Sequence, residues 1–291
     1  MYSDLNAYKP SATQLKELDF CPISLFYYMT TETMGDEIAR GSNFAQIEAE
    51  FYKRLEVEDI LKRPYDHTRT LDKQDITRKF YETVEWDLKD TQLSRLFWQF
   101  CRYQASRLSG MKRDEEYLLK FFFPYLCEFE LEGMELVGRP DTVFRLPPHD
   151  DVYYIQDTKT SMSTPGWVDG TVAPFTIKKT PSYYTIVRQI TVYYIILKEQ
   201  KLNIDHGHIL HISPNMFISA PFHFATLTAN TILKKKIPSI RSVLNTFRET
   251  VTEADNRKQI KELGDKLIKR HDPWKCNACS RSYYCACVTT R

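Results

Sequence analysis

Hydrophobic and polar positions follow two different periods along this chain, and the change falls after Lys112. Before it, apolar residues recur at helical spacing and predict helices over residues 11–29, 44–61 and 91–108. Pro22 should interrupt the first of these, because proline lacks the backbone N–H that a helix interior needs. The first third of the chain is therefore expected to be helical.

After Lys112 the pattern becomes that of strands. Aromatic and β-branched residues dominate residues 118–131, 136–146 and 152–158, with Gly133 and a Pro-Pro pair in the turns between them. A loop over residues 161–181, a helix over 182–199, strands over 204–212 and 217–227, and helices over 232–269 follow. This order predicts an α/β protein with a mixed central sheet flanked by helices.

Composition restricts the class of protein. Apolar residues make up 42% of the chain and charged residues 27%, which is typical of a folded protein. No apolar run reaches the roughly 18 residues that a membrane helix needs, and the polar N-terminus lacks a signal-peptide core, so we expect a soluble cytoplasmic protein without a membrane partner. Seven cysteines in such a compartment favour metal ligation over disulfides.

The net charge of +2 does not by itself indicate a nucleic-acid partner. The basic run Lys234, Lys235 and Lys236 begins a stretch rich in lysine and arginine, interspersed with glutamate and aspartate. Such a stretch fits either a solvated helical face or a contact with nucleic acid.

A set of acidic and basic residues lies at the predicted strands. Asp141 ends a Gly-Arg-Pro-Asp turn, and Asp157 and Lys159 follow the next aromatic and β-branched run. Side chains alternate along a strand, so Asp157 and Lys159 face the same side. Divalent ions held by carboxylates, together with a nearby lysine, can catalyse the hydrolysis of a phosphodiester. An ordinary surface ion pair is the alternative for Asp157 and Lys159.

This arrangement resembles the PD-(D/E)xK nuclease superfamily, in which a P-D pair precedes a D/E-x-K motif. Pro140, Asp141, Asp157 and Lys159 match that signature in order. The resemblance implies a restriction-endonuclease-like fold and a metal-dependent nuclease activity. It also implies that Asp141, Asp157 and the backbone carbonyl of Thr158 hold Mg2+ or Mn2+.

A second motif extends the resemblance to the RecB-like branch. Gln189 and Tyr193 match its Q-xxx-Y motif, and their spacing places both on one helical face, where they could bind a substrate strand or steady the site. The chain departs from this branch at Ala45, where many members carry a metal-binding histidine. Gln46 or Glu48 could substitute for that histidine. Glu128 is a further acidic candidate, expected to be a solvated strand residue.

Four cysteines suggest a metal site that joins the two ends of the chain. Cys276, Cys279 and Cys285 lie close together near the C-terminus, and Cys21 lies near the N-terminus. The spacing of these cysteines is similar to that in iron–sulfur RecB-like nucleases, among them AddB and the CRISPR-associated spacer-acquisition nucleases. This resemblance implies a 4Fe–4S cluster with a structural role. Zinc in the same site, or Cys287 in place of Cys285, is the alternative.

The sequence therefore predicts a DNA nuclease, most simply an exonuclease acting on single strands or ends. Helicase, recombination or CRISPR-adaptation proteins are its expected partners. The aromatics Trp167, Tyr183 and Tyr184, near basic residues, could either stack bases or pack in the core. The alternative function is a weakened or inactive module that binds DNA. The expected division is a helical region with the first cluster cysteine (1–115), a nuclease core (116–230) and C-terminal helices with the cluster-binding segment (231–291).

Overall fold

The computed structural model describes residues 8–30, 36–61, 70–84, 90–112, 114–169, 176–250 and 257–267. The α-helices in these ranges are α1 Ala12–Phe20, α2 Pro22–Thr30, α3 Asp36–Arg54, α4 Val57–Leu61, α5 Thr70–Glu82, α6 Thr91–Ser109, α7 Glu115–Phe121, α8 Pro181–Glu199, α9 Thr226–Thr231, α10 Ile237–Thr250 and α11 Arg257–Leu267. A π-helix, Ile232–Lys236, connects α9 to α10.

The strands are β1 Leu126–Cys127, β2 Leu131–Glu132, β3 Val137–Gly138, β4 Thr142–Arg145, β5 Val152–Thr160, β6 Val168–Asp169, β7 Thr176–Ile177, β8 Asn203–Ser213 and β9 Met216–His223. Five of them form a sheet in the order β1-β4-β5-β8-β9. β5 pairs with β4 in antiparallel and with β8 in parallel orientation, so the sheet is mixed. The expected mixed α/β fold is confirmed.

Each face of the sheet carries its own hydrophobic cluster. Val143 and Ile155 belong to a cluster shared with α1, α2, α8, α10 and α11. Phe144 and Leu210 belong to a second cluster, which contains buried side chains of α3 to α7. Because alternate residues of a strand face opposite sides, both faces of β4 and β5 are covered by helices.

The helix predicted over residues 11–29 is present, and it is divided at the predicted position. Ser11 caps α1 through a reciprocal pair of hydrogen bonds with Gln14. Cys21 has extended backbone angles at the end of α1, and α2 starts at Pro22. Proline at a first helical position needs no hydrogen-bonded N–H, so the sequence breaks the helix and restarts it there.

The strand predicted over residues 118–131 is wrong in its first part, which is helical, while β1 and the start of β2 lie in the rest of it. Glu115 to Phe121 form α7, because the Asp114 carboxylate accepts a hydrogen bond from the Tyr117 N–H at 2.9 Å and two acidic residues occupy the first turn. A short apolar run does not by its period distinguish a strand from a buried helix. The segment predicted as one strand over residues 136–146 is likewise divided into β3 and β4.

None of the helices in the described part of the chain is long and apolar enough to cross a membrane.

Candidate active site

Two carboxylates are brought together at the start of β4 and along β5. Thr142 pairs with Gln156 in the antiparallel register, so Asp141 and Asp157 are the next opposed positions. The Asp141 Oδ2 atom accepts a hydrogen bond of 2.6 Å from the Thr158 N–H. Buried Pro140 precedes it. Asp141 is thus fixed beside the strand that carries Asp157.

Asp157 is completely buried, which excludes the ordinary surface ion pair. Its Oδ2 atom lies 2.6 Å from the Lys159 Nζ atom. Its Oδ1 atom has no hydrogen-bond partner among the described residues. A buried carboxylate oxygen without a partner is costly, and in a native protein it usually indicates a functional position or an ion.

Asp141 and Asp157 lie beside the ammonium group of Lys159. Burial raises the pKa of Asp141 well above its usual range, and the neighbouring Asp157 raises it further, although Lys159 acts in the opposite direction. Burial alone would lower the pKa of Lys159, but Asp157 and Asp141 outweigh it and the pKa is raised. Lys159 is therefore an ammonium ion between two carboxylates.

Glu48, on α3, is a further acid of the site. It is one helical turn beyond Ala45, is 2% exposed, and has charge interactions with Glu128 and Asp157. Burial raises its pKa to about 8, and the adjacent Thr158 side chain counteracts part of the shift. Neither carboxylate oxygen forms a hydrogen bond of normal geometry within the described residues. Gln46 is exposed, so Glu48 is the residue that the fold directs inward.

Glu128 is not the solvated strand residue that the sequence suggests. It follows β1 in a left-handed conformation, with φ of 48°, and its side chain is only 20% exposed. Its N–H donates to the Asp141 carbonyl at 2.9 Å, and its carboxylate lies 3.0 Å from Arg139. Burial raises its pKa. Such backbone strain is common at functional sites, because the surrounding contacts must impose it.

Gln189 and Tyr193 lie together on α8, as their spacing predicts. The Gln189 Nε2 atom donates to the Tyr193 hydroxyl at 3.1 Å. Tyr193 is 4% exposed, and burial followed by the charge of Asp157 raises its pKa well above the usual range. Its ring packs over Gly138, where a β-carbon would lie 2.8 Å from Cδ1. The pair therefore stands beside the acids.

A polar network that the sequence does not reveal supports β5 from the other face of the sheet. The Tyr103 hydroxyl donates to the Gln156 Oε1 atom at 2.7 Å, and His208 Nδ1 lies 3.1 Å from the same oxygen. His208 Nε2 lies 2.7 Å from the Ser219 hydroxyl. Burial lowers the pKa of His208 to about 3, so the ring is neutral. This network fixes the strand segment directly before Asp157.

Two of the three aromatics considered for base stacking are packing residues. Trp167 and Tyr183 are 2% and 7% exposed, and they contact each other in the core. Only Tyr184 has an exposed side chain. Because Trp167 and Tyr183 are buried, they are not available to stack bases. The residue types alone do not predict this burial.

Of the four predicted cluster ligands, Cys21 is described, at the end of α1, with a half-buried side chain. Cys276, Cys279 and Cys285 lie outside the described residues.

The donor set fits a divalent cation with a partial protein shell. In the described part of the chain, no three His, Cys, Asp or Glu side chains are grouped closely enough to form a complete metal cage. Asp157 nevertheless offers an unpaired buried oxygen next to Asp141. Mg2+ is commonly held by one or two carboxylates and keeps several waters, so Asp141 and Asp157 suit it.

A mixed sheet with two carboxylates and a lysine on neighbouring strands is typical of metal-dependent hydrolases of phosphodiesters. The chain belongs to the PD-(D/E)xK nuclease superfamily, whose family model matches residues 9–286. Its class is therefore that of hydrolases acting on nucleic acid.

Comparisons with solved structures give distant similarities. A candidate exonuclease from Eubacterium rectale is 13% identical, with 97% of this chain and 91% of that chain covered and a TM-score of 0.43. The protein SSO0001 is 14% identical, with 84% and 97% covered and a TM-score of 0.31. A comparison with curated proteins finds no significant match. The assignment to the superfamily therefore depends on the family match.

Proposed function

We propose that this protein is a Mg2+- or Mn2+-dependent deoxyribonuclease that acts on single strands or DNA ends, as an exonuclease of the RecB-like type. The observation that carries the proposal is the fully buried Asp157, with one unpaired oxygen and with Lys159 at 2.6 Å on the same strand face. If Asp157 and Lys159 formed only an ordinary surface ion pair, Asp157 would be exposed to solvent.

Each residue has a distinct role in the proposed reaction. Asp141, oriented by the Thr158 N–H, and Asp157 would hold the metal together with the Thr158 carbonyl, and Glu48 adds a third carboxylate. A divalent cation bound there would supply charge neutralisation at the phosphate and activation of the attacking water. Lys159, held as an ammonium ion, would stabilise negative charge on the phosphate and orient the attacking water.

Gln189 and Tyr193 are proposed to position the substrate strand or steady the site. Tyr193 has its hydroxyl bound to Gln189 and its ring packed on Gly138, immediately before the Arg-Pro-Asp sequence. A rigid ring at this position limits the movement of the segment that carries Asp141. The side chains therefore couple α8 to the catalytic turn.

We further propose that Cys21, Cys276, Cys279 and Cys285 bind a 4Fe–4S cluster. The support from the described residues is that α11, which ends at Leu267, packs against α2, which begins directly after Cys21. The last described helix before the three C-terminal cysteines therefore lies beside the helix that follows Cys21. A cluster there would have a structural role, because hydrolysis transfers no electrons.

The test is cleavage of end-labelled and circular single-stranded DNA with Mg2+ or Mn2+, with visible absorption near 400 nm recorded on the same anaerobic sample. Lys159→Ala should abolish cleavage, while the exposed Lys198→Ala should not change it. Cleavage of the labelled strand but not the circle would identify an exonuclease. Wild-type rates in Lys159→Ala would refute the mechanism, and Cys21→Ser with unchanged absorption would refute the cluster assignment.

The second candidate function is a weakened nuclease or a DNA-binding assembly module. Ala45 favours it, because it stands where many RecB-like members carry a metal-binding histidine. Calorimetric titration with Mn2+ separates the two, because an active site requires binding that is lost in Asp141→Asn and Asp157→Asn. Helicase, recombination or CRISPR-adaptation proteins are the proposed partners in either case.

A further inference from the structure

A shallow cleft, open to solvent, lies between α1, α8 and the π-helix. Its lining includes Lys16 of α1, Arg188 of α8 and Lys236 of the π-helix, and Asp19 is the only acidic residue among the described residues that line it. We call this the cationic cleft. Three cations around one carboxylate leave an excess of positive charge, which is the environment that an anion requires.

Asp19 holds two of these cations in place. Its carboxylate forms ion pairs with both Arg188 and Lys236. Both cations keep about a third of their side-chain surface exposed, at 36% and 32%. Their charged groups are therefore positioned by Asp19 and remain accessible from the cleft.

Lys16 distinguishes this cleft from a purely structural group of ion pairs. Ion pairs that join three helical elements are a sufficient structural role for Asp19, Arg188 and Lys236. They do not explain Lys16, which is exposed and forms no ion pair or hydrogen bond with the described residues. One turn of α1 separates it from Asp19, so it faces the same cleft.

The π-helix that contains Lys236 is a further indication of a functional site. Its sequence, Ile232 to Lys236, ends in three consecutive lysines. The wider π turn is rare, and where it occurs it is frequently at functional sites. Lys236, the last residue of this π-helix, lines the cationic cleft.

The cationic cleft is connected to the catalytic centre. Gln189 lines the cleft and donates to Tyr193, whose pKa is raised in part by Asp157. Partial desolvation and then the charge of Lys159 lower the pKa of Lys16, although the residue as a whole is exposed. The ammonium of Lys16 is therefore within electrostatic range of the catalytic lysine.

We propose that the cationic cleft binds a phosphate group of the nucleic-acid strand, next to the phosphodiester that is hydrolysed. This inference rests on the proposed nuclease function. The bound group is either a backbone phosphate or a terminal phosphate monoester. Both are anions that the three cations would bind through the same ionic contacts. Lys16 supplies the unpaired charge, and Arg188 and Lys236 supply positioned donors.

The test measures binding of a fluorescent single strand of about 12 nucleotides, within the range of single-strand sites. The full chain carries Lys159→Ala, so that bound DNA is not cut. Adding Lys16→Gln or Lys236→Gln should weaken binding several-fold at low salt. Each should also reduce the slope of log affinity against log salt by about 0.7, the value for one lost phosphate contact on a single strand.

Lys198→Gln is the matched control. It makes the same change of charge on α8, ten residues and about 15 Å from Arg188, and should alter neither quantity. Strands with a 5′-phosphate, a 3′-phosphate or neither distinguish the two sources. An effect confined to one phosphorylated end assigns a terminal phosphate, and an equal effect on all three assigns a backbone phosphate.

Asp19→Asn separates binding from a structural role. A phosphate site predicts tighter binding, because Arg188 and Lys236 lose their competing carboxylate. Lower stability with unchanged affinity would instead show a structural tie only, and would overturn the proposal. So would Lys16→Gln and Lys236→Gln variants that bind like the parent with the same salt slope.

The nuclease proposal is tested separately, in protein that retains Lys159. Metal-dependent cleavage with normal binding by the Lys16→Gln variant would refute the cationic cleft alone. Binding that depends on Lys16 without any cleavage would refute the nuclease proposal alone.

Discussion

Glu48 offers the sharpest test of the site, because substitution by glutamine should have opposite effects on stability and activity. Glu48→Gln keeps the size of the side chain and removes its ability to ionise. Glu48 is 2% exposed, and its pKa is raised by burial from 4.5 to about 8. The native state therefore resists ionisation of this carboxyl, while the unfolded chain ionises it readily.

The magnitude follows from the difference between the two pKa values. A raised pKa means that the native state binds more protons than the unfolded state between pH 4.5 and 8, so stability falls as pH rises through this window. At pH 7 the loss is about 3 kcal/mol, since each pKa unit corresponds to about 1.4 kcal/mol. Glutamine has no such loss, so the metal-free variant should be more stable than the wild type.

The assay is urea unfolding of metal-free protein at pH 5 and pH 8. The stability advantage of Glu48→Gln should grow by about 3 kcal/mol between these values. Glu50→Gln is the matched control on the same helix, since Glu50 is partly exposed and forms an ion pair of 2.6 Å with Arg54. It should show no such gain. DNA cleavage by Glu48→Gln should fall strongly, because the third carboxylate is lost.

Two results would refute this reasoning. If the stability of Glu48→Gln follows that of the wild type across pH, then Glu48 is not a buried acid in solution. If the stability gain is present but cleavage is unchanged, then Glu48 is buried near the metal site without contributing to it.

Two further predictions concern packing and pH. Gly138→Ala should cost about 1 to 3 kcal/mol in urea unfolding and reduce cleavage, because its β-carbon would lie 2.8 Å from the buried Tyr193 ring; unchanged stability would contradict this packing. His208, with its pKa lowered to about 3, contributes stability that is complete above pH 6.5 and is lost as pH falls towards 3. His208→Gln should therefore recover about 2 kcal/mol relative to the wild type between pH 7 and pH 5, and a constant difference between the two proteins would refute the neutral buried histidine.

Local patterns predicted much of the arrangement of the candidate site. Asp157 and Lys159 are two residues apart, so any strand places them on one face, and Gln189 and Tyr193 are four apart, so any helix does the same. Pro22 divides the first helix for a reason that is equally local. Such features depend only on backbone geometry, which the sequence specifies residue by residue.

Burial and contacts between distant segments were decided only by the tertiary structure. Glu48 lies about a hundred residues before Asp157, and the packing of α3 against β5 alone turns it inward while Gln46 stays exposed. The same dependence placed Trp167 in the core and assembled the cationic cleft from three separate segments. Periodicity gives the face on which a side chain lies. Only the tertiary structure decides which residues that face contacts. Those contacts determine the charge, solvent access and chemistry of the side chain.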